Sequence, residues 1–228
     1  MSTVSLLGHP PAITVGKILC VGRNYAEHAK EMNANVPTSP VVFLKPATAV
    51  VTSGSSVLIP DISDDAHHEV EMTVLIGAGG KGIRPEEALR HVAGYGVGLD
   101  MTLRDLQAQA KKSGLPWTLA KGFDTSAPLS AFVPSEGIPD PGRLGIRLSV
   151  NGALRQSGWT RDCVFSVADL IAYASRYFTL EPGDILFTGT PEGVSRVQPD
   201  DALSAELVDE AGSVLTSVSV TIGRAPRP

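Results

Sequence analysis

The chain has 228 residues, 43% of them hydrophobic and 19% charged, enough apolar material for one sizeable core. Its formal charge of −5 gives nucleic acid no electrostatic foothold, and no run approaches the roughly 18 apolar residues of a membrane-crossing helix. Cys20 and Cys163 sit among apolar neighbours, and Pro10-Pro11 interrupts the stretch a signal peptide would need, so the expected address is the reducing cytosol.

Residues 1–16 read as a short N-terminal arm ahead of a main domain over 17–228. Lys17 to Gly22 is a buried-strand candidate. From Asn24, a possible cap, to Met32 the residues favour about two turns of polar helix. His28 and Glu31, three apart, share a face of that helix. With the loop from Asn33 to Pro40 beside it, the helix suits a lid. Strands follow over Pro40–Lys45, Ala49–Thr52 and Val57–Ile59, with a turn at Lys45-Pro46. Asp61 to Asp65 lacks the glycine and distal glutamate of a calcium loop and reads as a solvated turn.

His67-His68-Glu69-Val70-Glu71 opens a strand that runs to Ile76 and ends at Gly77. Residues two apart on a strand point the same way, which sets Glu69 and Glu71 roughly 6–7 Å apart on one face. Two carboxylates that close repel unless a proton or cation lies between them, and a hard divalent ion suits oxygen ligands. Gly77 to Gly82 matches G-x-G-x-x-G, but Pro85 places the next helix start beyond the third glycine, where it cannot hold a pyrophosphate. A glycine-rich loop is the better reading.

Val92 to Leu99 is a second strand, thinned by glycines that admit other backbone closely. It delivers Asp100, which joins Glu69 and Glu71 if the two strands are neighbours. A helix over 106–113 stops at Gly114, and Lys121 stands between apolar residues and a glycine. Asn151-Gly152 marks a hairpin turn. The helix over 165–177 buries Val167, Leu170, Ile171 and Ala174. A turn at Glu181–Asp184 leads into a strand ending at a Gly189-Thr190-Pro191 corner, and alternating residues from Ala202 to Ile222 close the β structure.

Six stretches in order, Val21–Glu31, Phe43–Pro46, His67–Glu71, Asp100–Asp105, Trp117–Lys121 and Phe187–Pro191, together strongly resemble the fumarylacetoacetate hydrolase superfamily. The likeness is to its short, single-domain branch of acylpyruvate hydrolases that also decarboxylate oxaloacetate. It implies a β-rich α+β fold, a mixed β-sandwich roll with a few short helices, assembled as a homodimer. It implies Mg²⁺ or Mn²⁺ held by Glu69, Glu71 and Asp100, an acid/base pair of His28 and Glu31, and Lys121 as a charged catalytic residue. Arg23, Arg104, Gln107 and Thr190 are implied to line the pocket of a short 2-oxo acid. The expected chemistry is C–C hydrolysis of acylpyruvates, or decarboxylation or tautomerisation of oxaloacetate, through a metal-bound enolate. The alternative is isomerisation or decarboxylation of dienoate acids such as 2-hydroxyhepta-2,4-diene-1,7-dioate. Two departures, Ser195 for a common glycine and the glycine-free Gln198–Asp201 turn, bear on local turn geometry.

Overall fold

Alternating apolar residues build one sheet with a single buried face. In its order it contains Ala153–Trp159, Gly145–Val150, Ala202–Val208, Val214–Arg224 and Ser56–Ile59. Asn151 (φ 51°) and Gly152 (φ 78°) form the hairpin turn between the first two, both in the left-handed region that such a turn demands. The computed structural model of the protein describes residues 1–32 and 35–226. The expected loop from 33 to 40 therefore lies partly outside the described residues.

A second, eight-stranded sheet is buried on both faces, as its near-continuous apolar runs require. Its main path is Val41–Lys45, Ile18–Gly22, Ile185–Phe187, Val70–Ile76, Val92–Leu99, Ala127–Leu129 and Val50–Thr52, with Val133–Pro134 joined to Val92–Leu99. One face packs on the five-stranded sheet through Met72, Val74, Tyr95, Val97, Ile146, Leu148, Ala205 and Val218. The other carries Ile18, Cys20, Leu75, Leu129 and Phe187, closed over by Val4 and Phe132. The hairpin of Thr3–Leu6 and His9–Thr14 is tied there by Phe132 N donating to Ser5 O at 2.8 Å. The result is an α+β, strand-rich sandwich roll with, among the described residues, four short helices: α1 (Ala26–Glu31), α2 (Arg104–Ser113), α3 (Thr118–Lys121) and α4 (Val167–Tyr177).

Val70–Ile76 and Val92–Leu99 are antiparallel neighbours, with Val70 opposite Leu99. That pairing removes the dinucleotide-binding alternative, which needs a parallel crossover; Pro85–His91 between them is a 3-10 segment. The glycines admit close backbone: a Cβ on Gly94 would lie 2.6 Å from Val133 O. In α4, Ser166 and Asp169 form a capping box, and the four expected apolar residues are buried. Both cysteines are free, Cys20 fully buried. Among the described residues no helix is long and apolar enough to cross a membrane.

Candidate metal centre and active site

Glu69 stands where the expected strand from His67 to Ile76 breaks. Ala66–His68 pairs with Thr102–Leu103 and Ser195–Arg196 in a small separate sheet, while Val70–Ile76 belongs to the large one. Glu69 is the hinge between them, and its carbonyl accepts from Asp100 N at 2.8 Å. The two glutamates thus meet across a break rather than along one regular strand. Carboxylate oxygens of Glu69, Glu71 and Asp100 nevertheless lie within 4.8 Å of one another, and all three side chains are buried.

Three cations answer two of these carboxylates, Glu69 and Asp100. Lys121, at the end of α3, donates to Glu69 at 2.7 Å and to Asp100 at 2.6 Å. Arg104, the first residue of α2, donates to Glu69 at 2.6 Å and to Gln107 at 2.7 Å. Lys45, fully buried at the end of the Val41–Lys45 strand, lies 2.8 Å from Asp100 Oδ1 and also holds Met101 O, Lys121 O and Ser126 Oγ.

The charges are shared unequally. Burial pushes the Glu69 carboxyl up, but Lys121, Arg104 and His28 more than offset that and hold it below the usual carboxylate range. Burial followed by the negative charges of Asp100 and Glu69 pushes Glu71 well above it, outweighing the hydrogen bond that Gly189 N donates at 2.6 Å. Burial depresses Lys121, yet Asp100 and Glu69 outweigh it and raise the ammonium. A carboxyl raised by two neighbouring carboxylates, all hard oxygen donors around one gap, fits a divalent ion such as Mg²⁺ or Mn²⁺.

Arg23, His28, Gln107, Lys121 and Thr190 line one cavity with Glu69, Glu71 and Arg104. The cavity measures about 30 Å³ because Arg104 and Lys121 reach across it to Glu69. That is room for an ion or a water. His28, 5% exposed, turns Nδ1 to Glu31 Oε2 at 3.2 Å; Gly193 N donates to the other Glu31 oxygen at 3.1 Å. Asn24 is no helix cap. It is wholly buried, donates to Phe165 O and Thr188 O, and accepts from Phe165 N, fastening the start of α1 to the body.

Lys45, Asn24, Gln156 and His68 are the site residues that spacing alone leaves out. For Lys45 a signal exists: it falls in step with Val41 and Phe43, on the inward side of its strand.

The family profile described as "Fumarylacetoacetate (FAA) hydrolase C-terminal" matches residues 17–221. "Oxaloacetate tautomerase FAHD1, mitochondrial" of Rattus norvegicus is 53% identical over 188 residues, covering 82% of this chain and 85% of its own. "Oxaloacetate tautomerase YcgM" of Escherichia coli K12 is 48% identical, covering 88% and 90%. Among solved structures, fumarylpyruvate hydrolase from Pseudomonas aeruginosa, determined with Mn²⁺ and pyruvate, superposes with a TM-score of 0.89 at 38% identity, covering 98% of this chain and 96% of its own. With the profile spanning nearly the whole chain and relatives this similar, the chain belongs to the fumarylacetoacetate hydrolase family.

Proposed function

We propose that the protein is a divalent-metal-dependent enzyme acting on short 2-oxo acids, tautomerising or decarboxylating oxaloacetate and cleaving acylpyruvates such as fumarylpyruvate. The observation that carries this reading is the meeting of Glu69, Glu71 and Asp100 within 4.8 Å, beside Lys121 and the His28–Glu31 pair. The names of the similar proteins supply the substrate class.

Glu69, Glu71 and Asp100 would hold Mg²⁺ or Mn²⁺, which when bound supplies Lewis acidity to the 2-oxo acid. Lys121 places a full positive charge where an enolate oxygen develops. Glu31, itself fixed by Gly193 N, orients His28 so that Nε2 is free to take a proton. In tautomerisation that proton leaves C3 of oxaloacetate and another is delivered to the C2 oxygen. In hydrolysis it comes from water: the oxygen bonds to the distal carbonyl carbon, the C–C bond breaks, and its electron pair goes to pyruvate as the enolate. In decarboxylation the departing CO₂ leaves the same electron pair behind, with no base required. Arg23 and Lys111 on the cavity wall favour substrates with a second carboxylate. Burial followed by the charges of Arg104 and Arg23 depresses the Lys111 ammonium, outweighing the opposite pull of Glu69.

The test is turnover of oxaloacetate and fumarylpyruvate after EDTA treatment and again with Mg²⁺ or Mn²⁺ restored. Activity is expected to vanish with the metal and return with it. Full activity in EDTA would remove the metal-centre assignment.

A homodimer completes the proposal. Val41–Lys45 ends the large sheet, and beside its open edge lies an apolar groove where Leu44, Leu115 and Tyr177 are 44%, 59% and 61% exposed. A second copy is its proposed occupant. Light scattering should give about twice 23.9 kDa, and Leu44→Glu should halve that mass; a monomeric parent protein would rule it out. The cytosolic address belongs to the same reading, supported by two unpaired cysteines.

A further inference from the structure

Gln156 joins both walls of the cavity through one carboxamide. It is 1% exposed on the Ala153–Trp159 strand. Its oxygen accepts from Val70 N at 3.0 Å and faces His68 Nδ1 at 2.9 Å; its nitrogen donates to Thr190 Oγ1 and to Pro191 O, both at 2.9 Å. Val70 lies between two of the carboxylates, and Thr190 follows Gly189, whose N–H holds Glu71.

Hydrogen placement follows from donors and acceptors that have no choice. A backbone N–H only donates and a carbonyl only accepts, so Val70 and Pro191 fix which end of the amide is oxygen. His68 Nδ1 must then carry a hydrogen, in either charge state of the ring. Both hydrogens of the Gln156 nitrogen are spent, one on Thr190. Thr190 Oγ1 therefore accepts from Gln156, and its own hydrogen must point elsewhere. No acceptor for it lies within hydrogen-bond distance among the described residues, and Thr190 lines the cavity.

We infer that Gln156 is a positioning residue: it turns the Thr190 hydroxyl into an obligate hydrogen-bond donor aimed into the cavity, selecting a substrate oxygen anion there. The inference rests on the 2-oxo acid reading for the identity of that anion, a carboxylate oxygen. Ser195, where the resemblance leads one to expect glycine, approaches His68 Nε2 with its hydroxyl at 2.8 Å and braces the ring that faces Gln156. The Ser195 departure thus reaches the site through His68, Gln156 and Thr190, rather than ending at a turn.

Gln156→Glu keeps an acceptor for Val70 N and His68 but loses both donors, so Thr190 would turn its hydrogen to the new carboxylate. The KM for oxaloacetate should rise about tenfold with kcat within about threefold and Mn²⁺ affinity within about threefold. In a Thr190→Val background the same change should add nothing to KM, and Thr190→Ser should retain the parent value within about threefold. An equal KM penalty with and without the Thr190 hydroxyl, or a matching loss of Mn²⁺ affinity, would make Gln156 merely structural. Should Gln156→Glu fail to fold, neutron diffraction of the parent protein decides. Deuterium on Thr190 Oγ1 directed into the cavity supports the inference, and deuterium directed at Gln156 overturns it. That measurement stands apart from the substrate reading, which fails instead if the parent protein turns over no 2-oxo acid.

Discussion

Glu71→Gln and Glu69→Gln should each cost at least about 10³-fold in activity while moving the stability of the metal-free protein in opposite directions. Removing a partner one layer behind a metal ligand typically costs about 10–100-fold in affinity or activity, and losing a ligand costs more. The stability contrast comes from what each carboxylate faces. Glu69 is paired with Lys121 and Arg104, so neutralising it leaves buried cations short of an anion, a loss of about 3 kcal/mol. Among the described residues no cation lies within salt-bridge distance of Glu71, and its charged form is repelled by Asp100 and Glu69; glutamine there still accepts from Gly189 N and removes the repulsion, a gain in stability.

The contrast has a pH signature. The folded chain holds the Glu71 proton to a pH well above 4.5, whereas the unfolded chain releases it near that value. With more protons bound in the folded state, stability falls as pH rises above about 4.5. Glu69, shifted the other way, loses its contribution only as pH falls below about 4.5. His67 and His68 are held low by burial, which costs stability as pH falls below about 6.5. The Glu71 effect is therefore read as parent minus Glu71→Gln in thermal melts without metal. That difference should grow more unfavourable to the parent from pH 5 to 8 and reverse in the parent's favour when Mn²⁺ is added, since only the parent keeps all three carboxylates to bind it. A flat difference would mean that Glu71 does not share its charge with the other two carboxylates.

The meeting of the three carboxylates was legible from their types and places: two glutamates two residues apart, and an aspartate at the end of the neighbouring strand. The break at Glu69 was not, since it arises from Ala66–His68 pairing with Ser195–Arg196, more than 120 residues away, and no local propensity reports that. Asn24 looked like a cap because it precedes good helix formers; its real partners, Phe165 and Thr188, are set by tertiary packing. Lys45 was hidden by the proline after it, which suggested a turn although the lysine points inward. The glycine run imitated a nucleotide loop because the motif is short, and the antiparallel pairing of its flanking strands exposes the imitation. The large sheet was read more easily, because strands buried on both faces are apolar along their whole length.

His28→Ala should separate the three reactions proposed for the site. Hydrolysis of fumarylpyruvate and tautomerisation of oxaloacetate both need a proton moved by a positioned base, and their rates should fall about 10²–10⁴-fold. Decarboxylation of oxaloacetate needs no base: the electron pair of the breaking C–C bond passes to the C2 oxygen, which Lys121 and a bound divalent ion would stabilise, so it should fall less than about tenfold. Glu31→Gln, which keeps an acceptor for Gly193 N but weakens the hold on imidazolium, should give the same ordering with smaller losses. Equal loss of all three reactions would place His28 in substrate binding and remove its role as base.

The whole reading depends on the three buried carboxylates taking up one ion and leaving it open to a 2-oxo acid. Diffraction from crystals soaked with Mn²⁺ and pyruvate, with anomalous differences recorded, tests this directly. A single strong peak is expected at about 2.1–2.2 Å from one oxygen each of Glu69, Glu71 and Asp100, with pyruvate oxygens completing the shell. An ion bound elsewhere, with Lys121 still bridging Glu69 and Asp100 and no density between the carboxylates, would contradict it.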